Sequence, residues 1–189
     1  RCLIANRGEI AVRIIRACRE MDVETVAIYA LGDETSLHVS LADQAICIGE
    51  ANPLESYLNQ DRIISAAKIS GATAIHPGYG FLSESTSFAQ KVEENNIDFI
   101  GPTQLTMEMM GDKITARQTV DDAGVPIIPG STNAVESIEE VKKISKDIGF
   151  PLVLKAASGG GGKGIRIVKT VGELAKAFKE AKSEGEKYF

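Results

Sequence analysis

The sequence has few cysteines, and it has no long apolar run. The three cysteines, Cys2, Cys18 and Cys47, are too few and too widely spaced for a disulfide framework or a zinc site. No window approaches the roughly 18 apolar residues of a membrane helix, and the N-terminus lacks the features of a secretory signal. We therefore expect reduced, structural cysteines and a cytoplasmic protein that neither binds a metal through this chain nor enters a membrane.

An excess of positive charge is also missing. The 21 Lys and Arg residues face 26 Asp and Glu residues, which gives a net charge of -5, so we expect no nucleic-acid partner. With 43% hydrophobic and 25% charged residues in a chain of 189, the composition favours two small globular units. The sequence begins at Arg1 without an initiator Met and stops after a helical pattern at Phe189, so we expect a fragment.

Short apolar runs alternate with amphipathic segments over residues 1–101, which is typical of βαβ units around a parallel sheet. Ala11, Ile14, Ile15 and Cys18 fall on one face of a helix that should pack on this sheet. The predicted strands are 2–5, 25–29, 45–48, 72–75 and 98–100, and the later predicted helices are 59–70 and 85–95. We expect a doubly wound α/β domain.

A helical linker is predicted over residues 102–125, followed by a smaller α+β unit over residues 126–189. Capping-box spacing marks two helix starts, at Ser137 with Glu140 and at Thr170 with Glu173. The predicted elements of this unit are strand 126–128, helix 137–147, strands 151–156 and 165–168, and helix 170–183.

Five of the 18 glycines lie in one window, Gly159–Gly164, between two predicted strands. Ordering such a run is costly, so it indicates a loop whose backbone approaches a ligand or moves. Backbone amides together with Lys163 favour a lid over nucleotide phosphates. A Walker P-loop is excluded because Gly164 follows Lys163, and Asn6-Arg7-Gly8-Glu9 has too few glycines for a dinucleotide-binding turn. The alternative is a plain flexible hairpin.

Two lysines extend this hypothesis. Lys155 lies in an apolar strand just before the glycine run, where a lysine at a buried edge would bind a phosphate as a point charge. The alternative is an ordinary outward-facing lysine. Lys113 opens a predicted helix whose N-terminal dipole favours anions, but its chemistry alone favours a solvated surface lysine.

A second glycine-rich turn, His76–Glu84, follows a predicted strand and so lies at the edge where open α/β sheets bind ligands. His76 is expected to be structural, because no other catalytic group is spaced to work with it. His38 is expected at the surface. Tyr79 and Phe81 are compatible with both packing and ligand contact.

Six segments together resemble the N-terminal part of biotin carboxylase, and in order they cover essentially the whole chain. They are Ile4–Ala11, Tyr57–Asn59, His76–Glu84, Phe99–Pro102, Met110–Lys113 and Lys155–Gly164. The resemblance implies an ATP-grasp ligase in which bicarbonate and MgATP give carboxyphosphate, whose carboxyl group is transferred to biotin on a carrier protein. It implies a pre-ATP-grasp domain over 1–101 and a truncated ATP-grasp lid over 126–189.

The resemblance also assigns residues. It places Tyr79 and Gly80 beside the biotin and bicarbonate pocket. It implies that the catalytic base, the magnesium ligands and the substrate-binding arginines lie downstream, so we expect no catalysis by this chain alone. It implies that six residues bind ATP, namely Lys113, Lys155, Gly160, Gly161, Gly162 and Lys163. For Lys113 this reverses the interpretation as a solvated surface lysine.

The implied partners are a biotin carboxyl carrier protein and a carboxyltransferase, as in acetyl-CoA carboxylase of fatty acid biosynthesis or a related carboxylase. The helix face with Arg13, Arg16 and Glu20 resembles a subunit contact, which implies a homodimer. Two alternatives stay open. One is a non-catalytic nucleotide-binding or assembly module, and the other is a different ATP-grasp ligase, such as one that makes carbamoyl phosphate or a purine intermediate.

Overall fold

The computed structural model describes residues 1–131, 133–155 and 165–188. The chain forms two units, the first over Arg1–Gly111 and the second beginning at Asp112. The boundary between them falls within the predicted linker 102–125. Within the described residues, no helix is both long and apolar enough to cross a membrane.

The first unit is built around a parallel sheet of five strands in the order β3-β2-β1-β4-β5. The strands are β1 (Cys2–Ile4), β2 (Thr25–Ala30), β3 (Gln44–Gly49), β4 (Ala74–His76) and β5 (Asp98–Phe99). The chain builds outward from β1 to β3, then returns to the other side of β1 with β4. The strand order therefore reverses between β1 and β4, which is the point where such sheets form a crevice.

Helices cover both faces of this sheet, as predicted. They are α1 (Gly8–Glu20), α2 (Leu37–Leu41), α3 (Gln60–Ser70), α4 (Thr86–Glu94) and α5 (Gln104–Gly111). Side chains alternate along β1: Ile4 packs with Ala11, Ile14 and Ile15 of α1, whereas Leu3 belongs to the larger core beneath α3 and α4. The doubly wound architecture is confirmed.

The second unit has a two-stranded antiparallel sheet and three helices among its described residues. They are α6 (Lys113–Asp122), α7 (Ile138–Ile148), β6 (Leu152–Lys155), β7 (Ile165–Val168) and α8 (Leu174–Tyr188). Its core joins Val141, Leu152, Val168, Leu174 and Ala177. The apolar stripes of α7 and α8 thus face a common sheet, as their sequence pattern predicts.

Three expectations about local structure are wrong. No strand forms at 126–128, where Pro126 and Pro129 lack the N–H groups that a strand needs and Ile128 is 84% exposed. Ser137 caps α7 through a 3.2 Å bond from Glu140 N, but Thr170 makes no cap hydrogen bond. Instead, the Glu173 carboxylate accepts a 2.9 Å bond from Lys169 N.

The third error concerns His38. This residue is 1% exposed rather than at the surface, because it lies on α2, a helix of five residues that is too short to leave a periodic pattern in the sequence. Its Nε2 lies 3.2 Å from the carbonyl oxygen of Ile28 in β2.

Candidate functional site at the reversal of strand order

A cleft opens where the strand order reverses between β1 and β4. Asn6 follows β1 by two residues, and the glycine-rich turn begins at His76, the last residue of β4. The cleft has a volume of about 480 Å³, and it is lined by the loop after β1, the first turn of α1, the loop after β2 and the glycine-rich turn. Tyr79 and Gly80, the residues expected beside a substrate, both line it.

Asn6 ties the two loops together. It is 3% exposed, and its Nδ2 donates to the carbonyl oxygens of Pro77 and Tyr79, at 2.8 Å each. Its Oδ1 accepts a 2.9 Å bond from Arg7 N. A buried amide that makes all these hydrogen bonds fixes its neighbours, because the loss of any one bond would leave a buried polar group without a partner.

The turn itself needs glycine. Gly78 and Gly80 both have φ of +68°, a left-handed conformation that glycine adopts without steric cost. Gly78 N donates to Nδ1 of His76 at 3.0 Å, so the neutral ring carries its proton on Nε2. Burial lowers the pKa of His76, which agrees with a structural role for this histidine.

Tyr79 reaches back to the first helix. Its ring is 60% exposed, and its hydroxyl donates to Oε1 of Glu9 in the first turn of α1. This bond lowers the pKa of Glu9 and raises that of Tyr79. The glycine-rich turn is thus held through its backbone by Asn6 and through a side chain by Glu9.

A stacked cluster supports the floor of the cleft. The rings of Tyr57 and Phe81 are parallel to within 8°, with centroids 5.3 Å apart, and the Arg7 guanidinium lies 5.1 and 5.7 Å from the two centroids. Arg7 also pairs with Asp33 at 3.3 Å. Guanidinium groups bind aromatic faces favourably, so the cluster joins the loops after β1 and β2 to the glycine-rich turn.

His38 is the unusual group beside the cleft. Its Nδ1 is buried and has no hydrogen-bond partner among the described residues, which fits a neutral ring that donates through Nε2 to Ile28. Burial is the main cause that lowers the pKa of His38, and the hydrogen bond to Ile28 and the charge of Asp33 partly oppose the shift.

The predicted nucleotide-binding residues lie in the second unit. Lys113 is the first residue of α6, as expected, but the N-terminal amides of Ile114 and Thr115 already donate to the carboxylate of Asp112, at 3.2 and 2.8 Å. The argument that this helix end attracts an external anion is thereby weakened. Gly160, Gly161, Gly162 and Lys163 lie outside the described residues.

Lys155 lies at the carboxyl end of β6, paired with Ile165 of β7. It is exposed rather than partly buried, because Leu152 and Leu154 take the inward positions of the strand and leave Val153 and Lys155 facing outward. Its expected role in binding phosphate stays a prediction. Across the described residues, no group of three His, Cys, Asp or Glu side chains is arranged to hold a metal ion.

Comparison with known families identifies the chain. Residues 1–107 match the family model described as "Biotin carboxylase, N-terminal domain". The chain belongs to the biotin carboxylase family. Residues 112–189 match a second model, described as "Carbamoyl-phosphate synthase L chain, ATP binding domain". The predicted resemblance is confirmed.

Relatives of this biotin carboxylase chain are considerably longer. Biotin carboxylase 1 of Bacillus subtilis is 52% identical over 182 residues, which are 96% of this chain and 40% of the relative. A biotin carboxylase-β-γ-ATP complex from Campylobacter jejuni has a TM-score of 0.89 at 48% identity, over 100% of this chain and 42% of that one. The chain thus spans about 40% of the length of these relatives.

A third relative was solved with ligands. The biotin carboxylase domain dimer of 2-oxoglutarate carboxylase from Hydrogenobacter thermophilus, in complex with MgADP, ADP and bicarbonate, has a TM-score of 0.85 at 50% identity. It matches 100% of this chain, which spans 41% of it. These neighbours are biotin carboxylase ATP-grasp proteins, which confirms the predicted fold class.

Sequence reasoning missed the residues that hold the cleft together, namely Asn6, Arg7, Asp33 and Tyr57. A signal for Asn6 was present, because it directly follows a predicted buried strand, and loops at the carboxyl ends of parallel strands bind ligands. That segment has too few glycines for a dinucleotide-binding turn, and the family resemblance assigns Asn6 no role. Asp33 carries no local pattern, and Tyr57 lies in a segment that carries the resemblance but is assigned no role by it. Both residues meet Arg7 only in the folded sheet.

Proposed function

We propose that this chain forms the front part of a biotin carboxylase, which uses ATP and bicarbonate to carboxylate biotin on a carrier protein. The observation that carries the proposal is the succession of two family matches in one chain, a biotin carboxylase N-terminal domain and then an ATP-binding domain. The relatives solved with a β-γ-ATP species and with MgADP and bicarbonate support the same substrates.

In the proposed reaction, an oxygen of bicarbonate attacks the γ-phosphorus of ATP, the bond to the β-γ bridging oxygen breaks, and ADP leaves. Biotin N1 then attacks the carboxyl carbon of the resulting carboxyphosphate, the bond from that carbon to the phosphate oxygen breaks, and the released phosphate takes the proton from N1. Such phosphoryl transfer depends mainly on positioning and charge neutralisation. Bound magnesium would supply part of that neutralisation, but no described cluster of this chain fits the ion.

The second unit is proposed to bind the nucleotide. Lys113 and Lys155 would pair with phosphate oxygens as point charges, and Gly160, Gly161, Gly162 and Lys163 would close over the triphosphate. The resemblance of Lys155–Gly164 to the family's nucleotide-binding segment supports this role. Lys155 is exposed at the carboxyl end of β6 and is therefore accessible to a ligand.

The first unit is proposed to contribute Tyr79 and Gly80 to the side that binds biotin and bicarbonate. Their place in the cleft at the strand-order reversal supports this assignment. In the same proposal residues 1–101 are a pre-ATP-grasp domain, 102–125 a linker and 126–189 part of the lid.

The proposed partners of the complete cytoplasmic enzyme are a biotin carboxyl carrier protein, a carboxyltransferase and a second copy of the enzyme. Arg13, Arg16 and Glu20 are exposed along one side of α1, which supports a contact surface there. The relative from H. thermophilus is a dimer.

The test uses the complete polypeptide that contains this chain. With ATP and labelled bicarbonate, label should appear in carboxybiotin with one ADP released per carboxylation. Lys155→Gln should raise the KM for ATP about tenfold or more, because it removes a charge-assisted phosphate contact. Lys169→Gln is the matched control, since Lys169 is an exposed lysine just after β7. ATP-dependent turnover without any labelled biotin would contradict the proposal.

A second candidate has one observation in its favour. The family model matched by residues 112–189 takes its description from carbamoyl-phosphate synthase, so the same lid could serve a different ATP-grasp ligase. Replacing biotin by ammonia in the assay separates the two. Carbamoyl phosphate as the main product would favour the second candidate.

A further inference from the structure

Asn6 fixes two peptide groups of the glycine-rich turn from one side. Its Nδ2 donates to the carbonyl oxygens of Pro77 and Tyr79. Both peptides are trans, since the cis bond recorded in the structure lies at Phe150–Pro151, and in a planar trans peptide the N–H points opposite to the C=O. The N–H groups of Gly78 and Gly80 are therefore both directed away from Asn6.

These two N–H groups differ in their hydrogen-bond partners. Gly78 N donates to Nδ1 of His76 at 3.0 Å, so that peptide is bonded at both ends. Gly80 N has no hydrogen-bond partner among the described residues. Gly80 is exposed, it lines the 480 Å³ cleft, and a Cβ placed on it would meet nothing within 4 Å. The Gly80 N–H is thus a free backbone donor on a residue that lines the cleft.

We propose that Asn6 is a positioning residue that aims the N–H of Gly80 at an oxygen of the substrate bound in this cleft. The inference rests on the proposed function, which places biotin and bicarbonate on this side. The acceptor is a carbonyl or carboxylate oxygen, because both substrates carry one and a backbone N–H binds either. A donor fixed in advance loses little entropy when the ligand binds.

We call the two hydrogen bonds from Asn6 Nδ2 to the carbonyl oxygens of Pro77 and Tyr79 the Asn6 clamp. The clamp requires an amide side chain. One nitrogen must offer two N–H groups to two carbonyl oxygens, while the other atom of the group accepts a bond from Arg7 N. A carboxylate of the same shape would place an oxygen against both carbonyl oxygens and repel them. Gly78 closes the clamp on the opposite side, since a Cβ there would lie 2.7 Å from Nδ2 of Asn6.

The kinetic test compares Asn6→Asp with the parent in the complete polypeptide. We expect kcat/KM for biotin to fall 10- to 100-fold, while the KM for ATP changes less than about twofold. The loss should shrink as the pH falls, because the introduced carboxyl can donate one hydrogen bond once it is protonated. Asn95→Asp is the matched control, since Asn95 Nδ2 also donates to a backbone oxygen, that of Lys91, at 2.7 Å.

An equal rise in the KM values for ATP and biotin, or an unchanged kcat/KM for biotin, would overturn the proposal. Should Asn6→Asp fail to fold, Gly78→Ala disturbs the same contact from its other side and should give the same selective loss. If neither variant shows a selective loss of kcat/KM for biotin, the role of Asn6 is rejected.

Hydrogen exchange separates this inference from the proposed function. In Asn6→Asp, the amides of residues 76–84 should exchange at least tenfold faster than in Asn95→Asp, whichever substrate the enzyme uses. Unchanged exchange would reject Asn6 as the residue that fixes the turn. A parent polypeptide that never carboxylates biotin would instead reject the proposed function, and with it the substrate named here, whatever the exchange result.

Discussion

The hydroxyl of Tyr57 donates a 2.6 Å hydrogen bond to Oδ2 of Asp33. The same hydroxyl accepts a 3.1 Å bond from Ala30 N at the end of β2, and Tyr57 is completely buried. Burial chiefly, and then the bond to Asp33, raise the pKa of Tyr57. The hydroxyl therefore stays protonated and joins the segment before α3 to the loop after β2.

Tyr57→Phe should lower the free energy of unfolding by about 1–3 kcal/mol, because it leaves the buried Ala30 N–H without a partner. Equilibrium urea unfolding measures this loss. Tyr29→Phe is the control, since the Tyr29 hydroxyl makes no hydrogen bond recorded among the described residues, and it should change stability by less than about 0.5 kcal/mol. Equal effects of the two substitutions would contradict a special role for the Tyr57 hydroxyl.

Gly78 and Gly71 offer a matched pair for the tightness of the glycine-rich turn. Both have a left-handed backbone, with φ of +68° and +67°, so alanine costs about 1–2 kcal/mol at either position. A Cβ on Gly71 meets its nearest atom at 3.8 Å, whereas one on Gly78 collides with Asn6.

We therefore expect Gly78→Ala to destabilise the protein by about 1–3 kcal/mol more than Gly71→Ala does. Urea unfolding of the two variants gives the difference directly. A difference near zero would show that Asn6 moves aside without cost.

The stability of the protein should fall in mild acid because of His38. Burial lowers its folded pKa below the ordinary value of 6.5, so below that pH the unfolded chain takes up a proton that the folded chain refuses. The contribution of His38 to the free energy of unfolding is therefore complete above pH 6.5. It is lost as the pH falls toward the pKa of the folded state, at up to about 1.4 kcal/mol per pH unit.

His38→Phe should flatten this dependence between pH 7 and pH 5 in urea unfolding. His76 also has a lowered pKa, so part of the slope should persist and should disappear only when both histidines are replaced. An undiminished slope in His38→Phe would show that His38 titrates normally in the folded state.

The three cysteines should differ in reactivity. All are free; Cys47 is exposed, Cys18 is half-buried and Cys2 is buried. Burial, with a smaller effect from Cys18, raises the pKa of Cys2 to about 12, and the thiol is unreactive without its thiolate form. At pH 8 a thiol reagent should label Cys47 quickly, Cys18 slowly and Cys2 only after unfolding, which peptide mapping would show. Fast labelling of Cys2 would contradict its burial.

Sequence patterns predicted most of the fold because short apolar strands alternate with longer amphipathic helices. The strands of the parallel sheet and the helices α3 and α4 fall within two residues of their predicted bounds, and α1 contains all four residues of its predicted apolar face. The short helix α2 and the missing strand at 126–128 were beyond this reasoning, since five residues show no periodicity and proline removes the hydrogen bonds that a strand needs.

The candidate site was predictable in place but not in detail. The glycine-rich turn at a strand end predicted where Tyr79 and Gly80 would lie. The residues that hold the turn come from distant parts of the chain, and no local pattern links Asn6 to Pro77. Their contact follows from the order of the strands, which a single sequence does not show.

The Asn6 clamp also bears on the order of folding events. Its two bonds span 71 and 73 residues of chain, so they require a large loop to close before they contribute anything. They can form only after β4 has docked beside β1, and we expect contacts made this late to be absent from the folding transition state. Loss of the clamp should hasten unfolding and leave the refolding rate nearly unchanged, so that the cleft takes shape only after its sheet is assembled.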